Sequence, residues 1–298
     1  MIEVSEKLKE KVVEALLKAF ENYGGPATQF SRKYGINNTV FCEIKKGNTQ
    51  NKLSAQKWMN IAAMLGVSAS DRVWRMARTE VFNVIEQDVM FCKQFSQAMI
   101  FVDKCAIGKT YSALYLSRVL KNCFYVDASQ CKTKILFTRA LAQSIGIDNC
   151  GRYMEVKQRI KYALNALEQP IVIIDEAGDL EYSAFLDIKE YYNGTTNRCG
   201  WYMMGANGLR KKITDGVSRG AVGYEEIFSR FSDTYSHVVP NGKDEQVCFY
   251  RKLLTDVLSV NMENKSKLKT IVNQCLTTAT GDTITGLRRA EKLLILNS

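Results

Sequence analysis

The chain has 298 residues, enough for two folded units and a small appendage, and its 46% hydrophobic and 24% charged residues exclude a disordered or low-complexity protein. Neither an apolar run of membrane length nor the layout of a secretory signal is visible, so we expect a cytoplasmic protein without a membrane partner. A formal charge of +10 indicates an anionic partner, for which nucleic acid is the leading candidate.

Four short helices are predicted at the N-terminal end, because apolar residues recur there at helical spacing. The predicted segments are 8–22, 27–34, 40–46 and 54–65, and a glycine lies shortly after the end of each of the first three. Asn37 to Thr39 are residue types that cap the N-terminus of a helix. We assign residues 1–70 to this domain and expect the linker near residues 68–80 to be helical.

Short apolar strands alternate with helices from residue 98 onward, which predicts an α/β domain over residues 71–240. Its fold class is a mainly parallel sheet with helices on both faces. The predicted strands are 99–102, 123–127, 171–175, 202–205 and 236–239. After residue 240 the strands cease, and three helices at 245–258, 264–276 and 287–296 predict a small helical C-terminal lid over residues 241–298.

Residues 103–110, Asp-Lys-Cys-Ala-Ile-Gly-Lys-Thr, come after the first strand and precede a helix, the pattern of a phosphate-binding P-loop. Lys109 would neutralise terminal phosphates, and the Thr110 hydroxyl would bind Mg²⁺. Asp103 departs from the pattern, which has a glycine at this turn. Asp can adopt left-handed dihedral angles, but its carboxylate near phosphate is an expected cost. The expected cofactor contacts are Lys104, Cys105, Ala106, Ile107, Gly108, Lys109, Thr110 and Tyr111.

The strand 171–175 is apolar throughout and ends in two carboxylates, Asp175 and Glu176. This pattern predicts a buried parallel strand of the Walker B type, which completes an ATP and Mg²⁺ site. Asp175 would hold the magnesium ion through water and would contact the cofactor in that way. Glu176 would be catalytic, orienting or deprotonating the attacking water. The plain alternative is a buried strand that ends in two solvated acids.

The adjacent Asp-Glu pair and polar residues further along the chain resemble the AAA+ ATPase family. The resemblance implies a sensor 1 contact to the nucleotide from Asn207, after the strand 202–205. It implies a catalytic arginine finger at Arg230, which would reach the ATP of a neighbouring subunit. It also implies a sensor 2 contact to the γ-phosphate from the last helix, for which Arg288 and Arg289 compete and Arg288 is preferred. The alternative for Arg230 is a surface arginine at a helix end.

The second and third helices resemble the helix-turn-helix of phage-repressor-like DNA-binding domains, with residues 34–36 as the turn. Polar residues at the start of the third helix can reach base edges or phosphates, and lysines at its end suit the phosphate backbone. A helical interaction bundle without a DNA role is the alternative. The expected DNA contacts are Asn37, Asn38, Thr39, Lys45 and Lys46.

A second basic cluster contains Lys211 and Lys212, between the sensor 1 strand and Arg230. In a ring or filament of subunits this surface could follow DNA. A solvated helix face is the alternative.

The order of these domains resembles the MuB-type transposition proteins of transposable, Mu-like phages over nearly the whole chain. The resemblance implies an ATP-dependent protein that coats double-stranded DNA as a homo-oligomeric filament or ring, with little sequence preference. It further implies delivery of that DNA to a transposase in a bacterial host cytoplasm. ATP hydrolysis would be stimulated by the DNA and by the transposase. The alternatives are a helicase-loader or IstB-like ATPase, an ATP-switched helix-turn-helix transcription regulator, and an inactive nucleotide-binding scaffold.

Overall fold

The computed structural model describes residues 4–21, 23–68, 74–231, 233–277 and 286–296. Its first four helices are α1 (Glu6–Glu21), α2 (Ala27–Lys33), α3 (Asn38–Lys45) and α4 (Ala55–Leu65). They enclose an apolar core of their own, in which the rings of Phe20, Phe30 and Phe41 contact one another. Helices therefore form at all four predicted segments.

Side-chain caps explain where two of these helices begin. The Asn37 side chain accepts a hydrogen bond from the Thr39 amide, so α3 starts two residues earlier than predicted. The Ser54 hydroxyl accepts from the Lys57 amide at the start of α4. At the other end of α4, Gly66 ends the helix in the left-handed conformation, with φ of 62°.

The segment between the N-terminal helices and the next one is only partly described. Residues 69–73, within the predicted helical linker, lie outside the described residues. Residues 74–79 are not helical, so the prediction of a helical linker is wrong for them. Thr79 accepts a hydrogen bond from the Phe82 amide and thereby starts α5 (Glu80–Phe95) only at residue 80.

A parallel five-stranded sheet forms the centre of the molecule. The elements after α5 are β1 (Ala98–Val102), α6 (Lys109–Val119), β2 (Cys123–Asp127), α7 (Lys134–Ile145), α8 (Tyr153–Ala166), β3 (Ile171–Asp175), α9 (Tyr182–Gly194), β4 (Gly200–Gly205), α10 (Asn207–Ser218), α11 (Tyr224–Arg230), β5 (Tyr235–Ser236) and α12 (Lys243–Asn261). The strand order is β2-β3-β4-β1-β5. Apolar clusters cover both faces of the sheet, one with α7 to α11 and the other with α5, α6 and α12.

The fifth strand is shorter than predicted. Residues 236–239 were expected to form it, but β5 pairs with β1 only at Tyr235 and Ser236. The amides of Val238 and Val239 instead donate to the carboxylate of Asp103, so they leave the ladder. The edge strand β5 therefore ends at Ser236, and the residues after it bond to the loop that follows β1.

Helices α12, α13 (Leu268–Leu276) and α14 (Leu287–Leu296) form the C-terminal region and share a small apolar core. The second of them begins four residues later than predicted, because the Asn264 side chain accepts from the Ser266 amide in a short 3₁₀ turn. Within the part of the chain that the structure describes, no helix is both long and apolar enough to cross a membrane.

Candidate nucleotide-binding site

The predicted phosphate loop connects β1 to α6 and turns tightly before the helix begins. Gly108 caps α6 with φ of 99°, and Ala106 also has a positive φ, of 59°. The Lys109 ammonium donates to the carbonyls of Asp103 and Lys104, at 2.9 and 2.6 Å. Burial lowers the pKa of Lys109, while nearby acidic groups oppose that shift. The loop therefore holds a buried lysine and presents the N-terminus of a helix, an arrangement suited to an anion.

Asp103 behaves differently from our expectation. Its backbone does not have a positive φ, so the turn does not use the left-handed conformation expected at this position. Its carboxylate is buried and accepts three backbone hydrogen bonds, from Lys104 at 2.7 Å, Val238 at 2.6 Å and Val239 at 2.9 Å. These three hydrogen bonds to the Asp103 carboxylate therefore offset the expected electrostatic cost of placing its charge near phosphate.

The two acids at the end of β3 have different surroundings. Asp175 is only 1% exposed, and its two carboxylate oxygens accept from the Glu176 amide at 2.9 Å and from the Tyr125 hydroxyl at 3.1 Å. Glu176 has φ of 48°, an uncommon conformation for a residue with a side chain. Burial, and then the neighbouring Asp175, raise the pKa of Glu176. The fold thus holds Asp175 in place, while Glu176 lies at the edge of a cavity over the phosphate loop.

That cavity has a volume of about 410 Å³, within the range of roughly 300–1,000 Å³ that is usual for ligand and cofactor sites. It brings together the phosphate loop, Glu176 and the C-terminal region, which are far apart in the sequence. Of the residues that we predicted to contact the nucleotide or to be catalytic, those that line the cavity are Cys105, Ala106, Ile107, Gly108, Lys109, Thr110, Tyr111, Glu176 and Arg288.

One wall of the cavity was not predicted. It consists of residues 74–77 with Thr79 and Phe82, so Trp74 and Met76 line the same cavity as the phosphate loop. The Tyr111 hydroxyl donates to the Trp74 carbonyl at 2.8 Å. The Asn261 side chain accepts from the Arg75 amide and donates to the Arg75 carbonyl. A tryptophan and a methionine two positions apart in the expected linker were the available signal for this wall.

The C-terminal helix α14 touches the phosphate loop directly. The Leu287 amide donates to the Ala106 carbonyl at 2.8 Å. Gly286 precedes it with φ of 61°, and a Cβ atom there would lie 2.5 Å from the same carbonyl oxygen. Arg288 lines the cavity, whereas Arg289 does not, so the geometry favours Arg288 of the two candidates.

Several predicted site residues do not line this cavity. Asn207 is exposed at the start of α10, which packs against the turn after Glu176. Arg230 is half-buried at the end of α11, where it donates to the Glu226 carbonyl at 3.0 Å. Asp175 is buried at the end of β3, and the Lys104 side chain is exposed to solvent. These four residues thus lie outside the lining of the cavity in this structure.

Magnesium would find suitable ligands here. Thr110 and Asp175 offer oxygen atoms, which Mg²⁺ prefers over nitrogen or sulfur. Among the described residues, no three His, Cys, Asp or Glu side chains come together as a metal site. This arrangement fits an ion that takes one or two ligands from the protein and the remainder from phosphate and water.

The predicted DNA contacts on α3 are mostly accessible. Thr39, Lys45 and Lys46 are exposed, with Lys45 over the Phe20 ring and Lys46 paired with Glu43 at 3.2 Å. The remaining two are Asn37, whose side chain caps α3, and Asn38, whose buried side-chain oxygen accepts no hydrogen bond from the described residues.

The second basic cluster divides in two. Lys211 is exposed on α10. The Lys212 ammonium donates to the carbonyls of Gly178, at 2.8 Å, and Leu180, and burial lowers the pKa of Lys212. Lys212 is therefore engaged within the protein, beside the turn after Glu176, and Lys211 is the lysine of this pair that an external partner could reach.

Comparisons with known proteins agree with this geometry. Residues 105–213 match a family model described as an AAA domain. The structure is similar to that of the Orc1 protein of Aeropyrum pernix, solved in complex with DNA, with a TM-score of 0.52 and 18% sequence identity. The alignment covers 76% of this chain and 60% of that chain, so this protein spans less than two thirds of the Orc1 chain. No curated protein sequence showed significant similarity.

At that level of identity the similarity concerns the fold alone. The predicted parallel sheet with helices on both faces is confirmed, and residues 105–213 within it match the AAA domain model. The helix-turn-helix and lid assignments of the terminal helices remain predictions.

Proposed function

We propose that the protein binds ATP with Mg²⁺ and hydrolyses the ATP. The observation that carries this proposal is the cavity in which the phosphate loop, Glu176 and Arg288 meet. Trp74 and Met76 give it an apolar wall, which suits a purine base. The match of residues 105–213 to an AAA domain supports the same conclusion.

Each part of the site would have its own task. The loop amides and Lys109 would hold the phosphates. Thr110 and Asp175 would hold the magnesium ion, which would neutralise charge on the phosphates. Glu176 would orient the attacking water and accept its proton. Arg288, from the C-terminal lid, would contact the terminal phosphate. Asn207, at the start of α10 just after β4, would be a second polar contact to the nucleotide.

We further propose that ATP binding assembles the protein on double-stranded DNA. The charge of +10 favours contacts to the phosphate backbone, with a strong dependence on salt. The exposed polar residues of α3 and Lys211 on α10 are the proposed contacts. The Orc1 protein with the similar fold was itself solved in complex with DNA, which supports a DNA-related use of this fold here.

The proposed oligomer explains the place of Arg230. This side chain lies outside its own cavity, so it would complete the site of a neighbouring copy. Such an oligomer would coat DNA as a filament or ring and deliver it to a transposase, which would trigger hydrolysis. This last step rests on the resemblance of the domain order to the MuB-type proteins.

Electron microscopy of the protein with a random-sequence duplex tests the proposal. We expect filaments or rings on the DNA with ATP and none with ADP. Discrete binding at one site without any need for ATP would contradict it and favour a transcription regulator.

A helicase-loader or IstB-like ATPase is the remaining alternative. Such a protein would also need ATP, but it would stimulate a replicative helicase or a different transposase. Adding a candidate transposase to the preformed complex and measuring phosphate release separates these activities. We expect release to rise only with the cognate transposase.

A further inference from the structure

Tyr125 lies in the middle of β2 and is not part of any motif in the sequence. It pairs in register with Ile173 of β3, and Asp127 pairs with Asp175 two residues later. Side chains two residues apart point to the same face of a sheet, so these four residues share one face. This is the face against which α6, the helix after the phosphate loop, packs.

The Tyr125 hydroxyl donates a hydrogen bond to Asp175 Oδ2 at 3.1 Å. Asp175 Oδ1 accepts from the Glu176 amide, so both carboxylate oxygens are held by a donor of the protein. Asp127, the other acid at this end of β2, uses its side chain to cap the Ser129 amide. The tyrosine hydroxyl is thus the side-chain donor that sets the orientation of Asp175.

A carboxylate offers about four lone-pair positions, so two donors leave it able to bind a metal ion or a metal-bound water as well. They also fix its rotation. In metal sites, partners behind the ligands orient them, and removal of such a partner typically weakens metal binding roughly 10-fold to 100-fold.

We propose that Tyr125 is a positioning residue for magnesium: its hydroxyl holds Asp175 in the orientation that receives the Mg²⁺ of the bound nucleotide. This inference rests on the proposed function, because it assumes that Asp175 serves an ATP-bound magnesium ion. Removal of a tyrosine hydroxyl that bonds to a different carboxylate of the same domain should leave magnesium binding unchanged.

The chain contains a matched control for that comparison. Tyr202 of β4 is fully buried, and its hydroxyl donates to Asp88 Oδ2 at 3.0 Å. Asp88 belongs to α5, and neither residue lines the cavity. Tyr125→Phe and Tyr202→Phe therefore each remove one hydroxyl-to-carboxylate hydrogen bond from the same sheet, but only the first involves a proposed magnesium ligand.

The test is equilibrium binding of a fluorescent, non-hydrolysable ATP analogue to the full chain, measured across a magnesium titration and again with EDTA. For Tyr125→Phe we expect the half-saturating Mg²⁺ concentration to rise roughly tenfold or more, with the affinity in EDTA within about twofold of the original. For Tyr202→Phe we expect both quantities to stay unchanged.

Three results would overturn the inference. An unchanged magnesium requirement in Tyr125→Phe would show that Asp175 does not depend on the hydroxyl. Equal changes in both variants would indicate general loss of structure, which thermal unfolding of the two proteins would register. If the original protein binds no nucleotide under any condition, the proposed function fails and the role of Tyr125 fails with it.

Discussion

Asp103 stands where phosphate loops have glycine, and its surroundings explain how the chain uses that difference. The carboxylate accepts from two amides beyond the last pair of the β1–β5 ladder, those of Val238 and Val239. Val239 is only 4% exposed, so water cannot readily replace the acceptor. A glycine at residue 103 would satisfy the loop pattern and leave these donors unpaired.

Asp103→Gly should therefore destabilise the protein although it restores the usual loop residue. Each buried donor left without a partner costs about 1–3 kcal/mol, and Asp103→Asn should have a smaller effect because one acceptor oxygen remains. Urea unfolding of the two variants and the original protein measures both differences. A glycine variant as stable as the original would contradict this account of the loop.

Glu176 offers a second test at a single position. Glu176→Gln keeps the size of the side chain but cannot accept a proton, so hydrolysis should fall roughly 10²-fold to 10⁴-fold. ATP binding should persist, because the phosphate loop is unaltered. Phosphate release and equilibrium nucleotide binding measure the two separately. An original protein that shows no DNA-stimulated hydrolysis, and is indifferent to this change, would favour an inactive nucleotide-binding scaffold.

At the scale of elements, the contact between α14 and the phosphate loop makes the C-terminal helix part of the nucleotide site. The contact consists of the Leu287 amide on the Ala106 carbonyl and of Gly286, which must come close to the same oxygen. Only a residue without a Cβ atom allows that approach. A change at Gly286 should therefore be felt at the phosphates.

Gly286→Ala should lower nucleotide affinity, because the new Cβ would lie 2.5 Å from the Ala106 carbonyl oxygen and push α14 off the loop. Gly220→Ala is the control, since Gly220 has nearly the same φ, 62°, with nothing within 4 Å of an added Cβ. Both variants carry a left-handed strain of about 1–2 kcal/mol, so Gly220→Ala reports the effect of that strain without the contact to the loop. Equal nucleotide affinity in the two would refute the coupling.

The elements differ in how far the sequence could predict them. The phosphate loop and β3 were predictable, because residues next to one another in the sequence carry their patterns. The wall at residues 74–79 was not, since contacts with residues far along the chain hold it. Trp74 donates to Glu291, which lies 217 positions away, and Arg75 bonds to Asn261 at 186 positions. The early end of β5 was not predictable either, because the amides of Val238 and Val239 bond to Asp103, a residue far away in the sequence.

For the whole molecule, the N-terminal helices dock on the sheet domain through a close junction. The Tyr23 hydroxyl donates to the Ile145 carbonyl, and a Cβ on Gly146 would lie 2.3 Å from the Gln29 carbonyl oxygen. Lys33, at the end of α2, packs against the Phe124 ring of β2. The proposed DNA-binding helices are thus in direct contact with the sheet domain that carries the candidate nucleotide site.

Lys33 makes this junction sensitive to pH. Burial lowers the pKa of Lys33 from 10.5 to about 8, so the folded state disfavours its charge. The resulting penalty is full below pH 8 and disappears as the pH rises to 10.5. Lys33→Met should therefore be more stable than the original at pH 7, by on the order of 2 kcal/mol, and the gain should shrink by pH 9.5. Urea unfolding at both pH values measures it.

Lys46→Met is the control for that measurement, because the Lys46 side chain is 69% exposed on the same domain. It should change stability little at either pH. A gain for Lys33→Met that is the same at both pH values would mean that added apolar contact, and not the charge, is responsible.

The proposed assembly is tested by Arg230→Ala. If Arg230 completes the site of a neighbouring copy, the variant should bind ATP normally and lose most DNA-stimulated hydrolysis, by roughly 10³-fold or more. Mixing the variant with Glu176→Gln protein should restore part of the activity, because some sites then combine an intact Glu176 with an intact Arg230. Unchanged turnover in Arg230→Ala alone would remove this residue from the mechanism.

The cavity over the phosphate loop is lined by residues 74–82, residues 105–114, Val257 of α12 and residues 287–291 of α14, together with Glu176. The proposed nucleotide would contact all of these groups of residues at once. Helix α14 touches the loop through the backbone hydrogen bond from the Leu287 amide to the Ala106 carbonyl. If the cavity holds the proposed nucleotide, a partner that displaces α14 would therefore open one side of the nucleotide site without touching the phosphates.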